Sequence, residues 1–147
     1  MLYRRMLITL ALVLFTAGAA HADLDTYLRS LNVSAEADFG GFRAQVGAQF
    51  GASGSQLDLA FRTAEHPADA AVCLWLAQQS RQPVEVVVRE YSTRKGQGWG
   101  ALAQSLGIKP GSAAFKALKQ GDLGWQPAVA AGGSGKAKGT GKGKGKS

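Results

Sequence analysis

Apolar residues recur at helical spacing along most of this chain, and most sharply between Arg94 and Leu118. Trp99, Leu102, Ala103 and Leu106 stand at i, i+3, i+4 and i+7, which places them on one helical face. Gly107 follows where a helix ends in a left-handed residue, Ile108 supplies the usual apolar partner, and Pro110 blocks continuation. Ser112 can cap a second helix whose apolar side is Phe115 and Leu118, closed by Gly121. Two short helices joined by a sharp turn are predicted here, with the Trp99 ring buried; Trp99→Ala is then expected to cost about 3–5 kcal/mol.

The same period predicts the other elements. Leu24, Tyr27, Leu28 and Leu31 form a first stripe, with Asp23 and Asp25 at its positive end. Asn32 to Asp38 is polar and shows no period. Phe39, Phe42, Val46 and Phe50 form a second stripe in spite of Gly40, Gly41 and Gly47, each of which weakens a helix by about 1 kcal/mol relative to Ala. Leu57, Ala60, Phe61 and Ala64 form a third after the turn Gly51 to Ser55, with Ser53 or Ser55 as cap. Pro67 suits a first helical position, and the run Val72 to Leu76 leaves almost no polar face, as in a helix through the centre of a bundle. After Pro83 the run Val86-Val87-Val88 favours a strand by propensity, yet Val84, Val87, Val88 and Tyr91 fall on one helical face. A strand face through Val84, Val86 and Val88 would next present Glu90, so helix is the better assignment.

From Gly121 the periodicity ends, and Gly132 to Ser147 holds only Gly, Lys, Ala, Ser and Thr. Such a composition cannot bury apolar surface. The chain therefore reads as all-α: a bundle of five or six short helices over residues 23–121, followed by a disordered, flexible Gly/Lys-rich tail over 122–147.

Residues 1–22 are set apart as a signal peptide. Arg4 and Arg5 form a positive start, Met6 to Phe15 an apolar core too short for a stable membrane anchor, and Ala20-His21-Ala22 a small-x-small cleavage site. Cleavage before Asp23 would release a periplasmic or secreted protein with no integral membrane span. The single cysteine, Cys73, has no internal partner and sits in an apolar run without a neighbouring His or Lys to activate it. The domain must then hold together by packing alone.

The net charge of +7 suggests nucleic acid until it is located. Arg4 and Arg5 leave with the leader, and Lys136, Lys138, Lys142, Lys144 and Lys146 lie in the tail. Between Asp23 and Gly135, ten basic residues face ten acidic ones. The folded body is neutral, and the excess positive charge belongs to the appendage.

Candidate chemistry is sparse. Lys95, Gly96, Gly98, Trp99 and Gly100 could form an anion or partner contact, since backbone N–H groups at a helix start attract anions. No strand is expected before this loop, however, and room for Trp99 to pack beneath a tight turn explains its glycines more simply. The terminal Gly-Lys-Ser would need glycine at position 140 to resemble a nucleotide-binding loop, and Thr140 stands there. The helix pair mimics a helix-turn-helix reader, but its second helix offers only Lys116, Lys119 and Gln120 among alanines, too little for specific base readout. After the leader there is one histidine, His66, beside Pro67. Glu85 and Glu90 flank opposite sides of a helix, poor geometry for paired acid and base work. No catalytic residue, cofactor or metal ligand is assigned, and the chain is read as not an enzyme.

The run Lys95 to Lys119, with Pro67-Ala-Asp-Ala and Pro83-Val-Glu-Val-Val before it, resembles a group of small exported bacterial proteins with Gly/Lys-rich or Gly/His-rich tails. The resemblance implies a helical fold and an exported location, and no activity. It also implies a His after the aromatic of the last helix, where this chain has Lys116, so no histidine-based role is carried over. The expectation is a non-enzymatic interaction module of the cell envelope, whose partner is an envelope protein or an anionic envelope polymer. The alternative is a secreted polyanion or DNA binder acting through the tail.

Overall fold

The computed structural model describes residues 19–128, and within them every regular element is helical. There are seven such helices: α1 (Ala19–Ala37), α2 (Phe39–Phe50), α3 (Gly54–Thr63), α4 (Pro67–Ser80), α5 (Val84–Thr93), α6 (Trp99–Ser105) and α7 (Ala113–Gln120). An all-α bundle of five or six helices was expected, one or two fewer than the seven among the described residues. None is long and apolar enough to cross a membrane. Most of the leader, and the tail with Lys136, Lys138, Lys142, Lys144 and Lys146, lie outside the described residues.

Helix α4 runs through the centre, as its apolar middle predicts. Every residue from Ala70 to Ala77 is buried, and α1, α2, α3 and α5 all pack on it. Alanines around its circumference let four neighbours approach at once. His66 occupies its cap position without capping it. Instead, Asn32 of α1 accepts a hydrogen bond from the Ala68 backbone N–H at 2.9 Å. A residue distant in sequence thus satisfies one of the donors that a helix start leaves open.

That contact exists because α1 continues through the stretch the sequence left without period. Leu31, Ser34 and Ala35 are all buried, extending the stripe of Leu24 and Tyr27 by another turn. The Ser34 hydroxyl donates to the Ser30 carbonyl at 3.0 Å, so its polar group is satisfied inside the helix and the residue can face the core. Asp38 then stops α1 and caps α2 by accepting from the Gly41 N–H.

In α2, Phe42, Val46 and Phe50 are buried, whereas Phe39 is half-exposed and meets Phe61 edge-on at 5.6 Å. Gly47 has a steric reason: a Cβ there would come within 2.8 Å of the Leu57 side chain, so the glycine lets α3 lie close. Ser53 and Gln56 close a reciprocal capping box at the start of α3. Helix α5 buries Val84, Val87, Val88 and Tyr91, the four residues of the helical assignment.

The turn after α6 forms as its sequence dictates. The Gly107 N–H donates to the Gln104 carbonyl at 3.0 Å and the Ile108 N–H to the Ala103 carbonyl at 3.0 Å, with Gly107 left-handed and Ile108 buried. Ser112 caps α7 through the Phe115 N–H.

Order does not end at Gly121, which corrects the boundary expected there. Leu123 and Pro127 are buried, and Trp125 packs against Phe42 and Phe50 with ring centroids 5.8 Å away in each case. The Ala128 N–H donates to the Gln45 side chain at 2.8 Å. The segment Gly121 to Ala128 is a strap over α1 and α2 rather than the start of the tail.

Candidate functional site

The loop between α5 and α6 is shaped by two glycines. Gly96 has φ +84° and Gly98 φ +89°, a backbone region that residues with a Cβ avoid, while the space around both is open. The expectation that these glycines make room for Trp99 is therefore corrected: the backbone conformation requires them. Gly100 differs, because it lies inside α6 with helical backbone, and a Cβ there would meet Lys119 and Phe115 at an ordinary 3.5 Å.

Trp99 opens α6 and is only partly buried, unlike Leu102, Ala103 and Leu106 behind it on the same stripe. Its indole stacks on Tyr91 of α5, with centroids 5.6 Å apart and planes 26° from parallel. Tyr91 is itself pinned. Its hydroxyl donates to Asp69 Oδ2 at 2.8 Å and accepts from the Glu65 N–H at 3.2 Å. Burial, together with the Asp69 carboxylate, pushes the phenol pKa well up, against the opposing pull of the Glu65 N–H. The ring is a fixed neutral donor on which the indole rests.

Two clefts adjoin at Trp99. The larger, of about 610 Å³, is bounded by Leu24 and Asp25 of α1, Arg94 and Gln97 of the loop, Gln104 of α6, and Phe115 and Lys119 of α7. The smaller, of about 270 Å³, lies between the loop and α4, with Glu65, Asp69, Tyr91 and Lys95 on its walls. Arg94, Gly98 and Trp99 border both.

Charge is distributed unevenly between them. Lys95 forms an ion pair with Glu65 at 3.1 Å, so the lysine expected to strengthen an anion contact is already engaged. Arg94 Nε donates to Glu90 Oε2 at 2.9 Å, and that hydrogen bond holds the Glu90 carboxyl below the usual range. In the larger cleft, Lys119 has no carboxylate partner among the described residues, and its ammonium lies 5.7 Å from the centroid of Phe115.

Of the residues singled out from sequence, Gly96, Gly98 and Trp99 line the smaller cleft with Lys95, and Gly98, Trp99 and Gly100 line the larger. Sequence reasoning missed Leu24, Asp25, Phe115 and Lys119, which come from the two ends of the body. Only the packing of α1 on α7 brings them together, and no local pattern encodes that pairing. Other reactive groups are elsewhere or inert. Cys73 is buried, and its thiol pKa is driven up by burial and by Asp69. His66 Nδ1 stands 3.6 Å from Asp69 Oδ2 at an exposed helix start. Among the described residues no three His, Cys, Asp or Glu side chains are grouped as a metal site needs.

The chain matches no known family model, no curated protein and no solved structure.

Proposed function

We propose that this chain is an exported, non-enzymatic interaction module of the bacterial cell envelope, and that it takes its partner in the clefts beside Trp99. One observation carries the reading: Trp99 heads an otherwise buried stripe, yet its indole stays partly open and borders both clefts. Aromatic rings held open on a rigid frame are a recurrent anchor for binding partners. The leader at residues 1–22 supports export. A cut between Ala22 and Asp23 leaves Leu24, the first core residue described, in place.

Capture from envelope extract tests the proposal. Gly100→Gln places a side chain at the wall of the larger cleft without straining the backbone, and it removes a glycine from a helix. The expected result is a variant at least as stable as the parent that no longer retains the parent's partner. Equal retention would overturn the assignment to this cleft. An intact mass that still includes Met1 to Ala22 would overturn the exported location.

A second reading rests on the charge partition. The body is neutral while Lys136, Lys138, Lys142, Lys144 and Lys146 alternate with glycine and small residues, a pattern suited to weak, sequence-independent contact with polyanions such as lipopolysaccharide or extracellular DNA.

A further inference from the structure

We infer that the larger cleft is a saccharide site selective for a carboxylated sugar, an inference that rests on the proposed binding role and names its ligand class. Three features lead to it. First, two aromatic residues line the cleft, Trp99 from α6 and Phe115 from α7, the latter with the Lys119 ammonium over its ring. Aromatic faces, whose π clouds carry negative charge, suit the weakly polar face that the axial C–H bonds of a pyranose ring present. Second, Gln97 and Gln104 are among the polar residues lining the cleft; an amide both donates and accepts, as a ring of hydroxyls requires, although the Gln97 oxygen also accepts from Arg94 Nη1 at 3.5 Å.

Third, the charge is that of a single anion. Arg94 and Lys119 face the cleft against one carboxylate, Asp25. Arg94 is already shared with Glu90, which leaves Lys119 as the cation without a carboxylate partner among the described residues. One such ammonium on an α-helix matches a monovalent carboxylate better than a divalent phosphate, which calls for converging donors and a denser positive field. A volume of about 610 Å³ falls within the usual range for ligand clefts and admits more than one sugar ring. An extended peptide fits less well, because the walls are helices whose backbone groups are internally bonded and offer no edge to pair with.

Calorimetry on the full chain with hexagalacturonate, maltohexaose and inorganic phosphate tests the inference. Hexagalacturonate should bind about tenfold or more tightly than the uncharged maltohexaose, the effect of one charge-assisted contact. Lys119→Gln should remove that preference and Lys119→Arg keep it. Gly100→Gln should abolish binding of both sugars with no loss of melting temperature. Replacing Lys136, Lys138, Lys142, Lys144 and Lys146 together by Ser should leave the Lys119-dependent preference for hexagalacturonate over maltohexaose intact. Equal affinity for the two sugars, phosphate binding as tight as hexagalacturonate, loss of binding only in the tail variant, or no sugar binding would each overturn it. If Gly100→Gln still loses the partner captured from envelope extract while no sugar binds, the ligand class falls and the interaction role stands.

Discussion

The Tyr27 hydroxyl donates to the Trp125 carbonyl at 2.6 Å, joining the first helix to a strap 98 residues further on. Trp125 in turn covers Phe42 and Phe50, so this one hydrogen bond sits at the edge of an aromatic cluster that closes the body. Tyr27→Phe should therefore lower stability by about 1 kcal/mol, the net worth of a single hydrogen bond, and Trp125→Ala by about 3 kcal/mol through lost packing. Denaturant unfolding measures both. An unaffected Trp125→Ala would mean that the strap is not part of the folded unit.

Alkaline pH should weaken the same closure. Burial, helped by the Asp122 carboxylate, raises the Tyr27 phenol from 10.0 to about 12. The folded state thus holds the proton more tightly than the unfolded chain, and the stabilisation is complete below pH 10 and lost as pH rises towards 12. Tyr91 is raised for a similar reason and adds in the same direction. Unfolding midpoints measured across this interval should fall more steeply for the parent than for Tyr27→Phe, and the double variant with Tyr91→Phe should be flatter still.

Trp99→Ala should cost about 2 kcal/mol, less than a fully buried tryptophan because the residue is only partly buried. Thermal unfolding checks the value. A loss below about 1 kcal/mol would show that the stacking on Tyr91 adds nothing to the fold.

The three glycines around Trp99 should respond in opposite directions. Gly96→Ala and Gly98→Ala force a Cβ into backbone of positive φ, Gly98 with ψ 161° in a region almost confined to glycine, and should each destabilise by about 1–3 kcal/mol. Gly100→Ala relieves a helix of its most flexible residue and should stabilise by about 0.5–1 kcal/mol. Uniform destabilisation at all three would instead support crowding around the indole.

For the tail, contact with polyanions should depend steeply on salt. With at most about five phosphates neutralised, affinity should fall by roughly three orders of magnitude or less for a fourfold rise in salt. Binding of a DNA duplex that is unchanged after removing Gly132 to Ser147 would end the tail reading.

Much of this fold was legible because its helices announce themselves by local chemistry. Ser53, Gly107 and Ser112 mark helix ends with groups that bond within four residues, and the four-residue stripe of α5 outweighed the strand propensity of its valines. The continuation of α1 and the strap were not legible, for a common reason. Ser34 is buried because its hydroxyl bonds one turn back, and Pro127 lies buried in a segment that Trp125 and Ala128 anchor on α2. Polar and turn-forming residues read as surface until a tertiary partner is known. The cleft divides the same way: its loop stood out by its glycines, whereas Lys119 and Asp25 become neighbours of that loop only through helix packing.

Gly121 approaches the first turns of α1 so closely that a Cβ there would lie 2.8 Å from the Asp23 carbonyl oxygen and from the Tyr27 Cβ. The first helix and the last elements of the body are thus mutual partners, and α1 has its apolar face covered partly by a segment that follows every other described helix in the chain. A chain threaded through a membrane pore from its N-terminus would emerge with Leu24, Tyr27 and Leu31 uncovered until α7 and the strap had followed. The packing of α2, α3 and α5 on α4 needs none of these late elements, so closure over α1 would be the last step of folding and would wait for α7 and the strap.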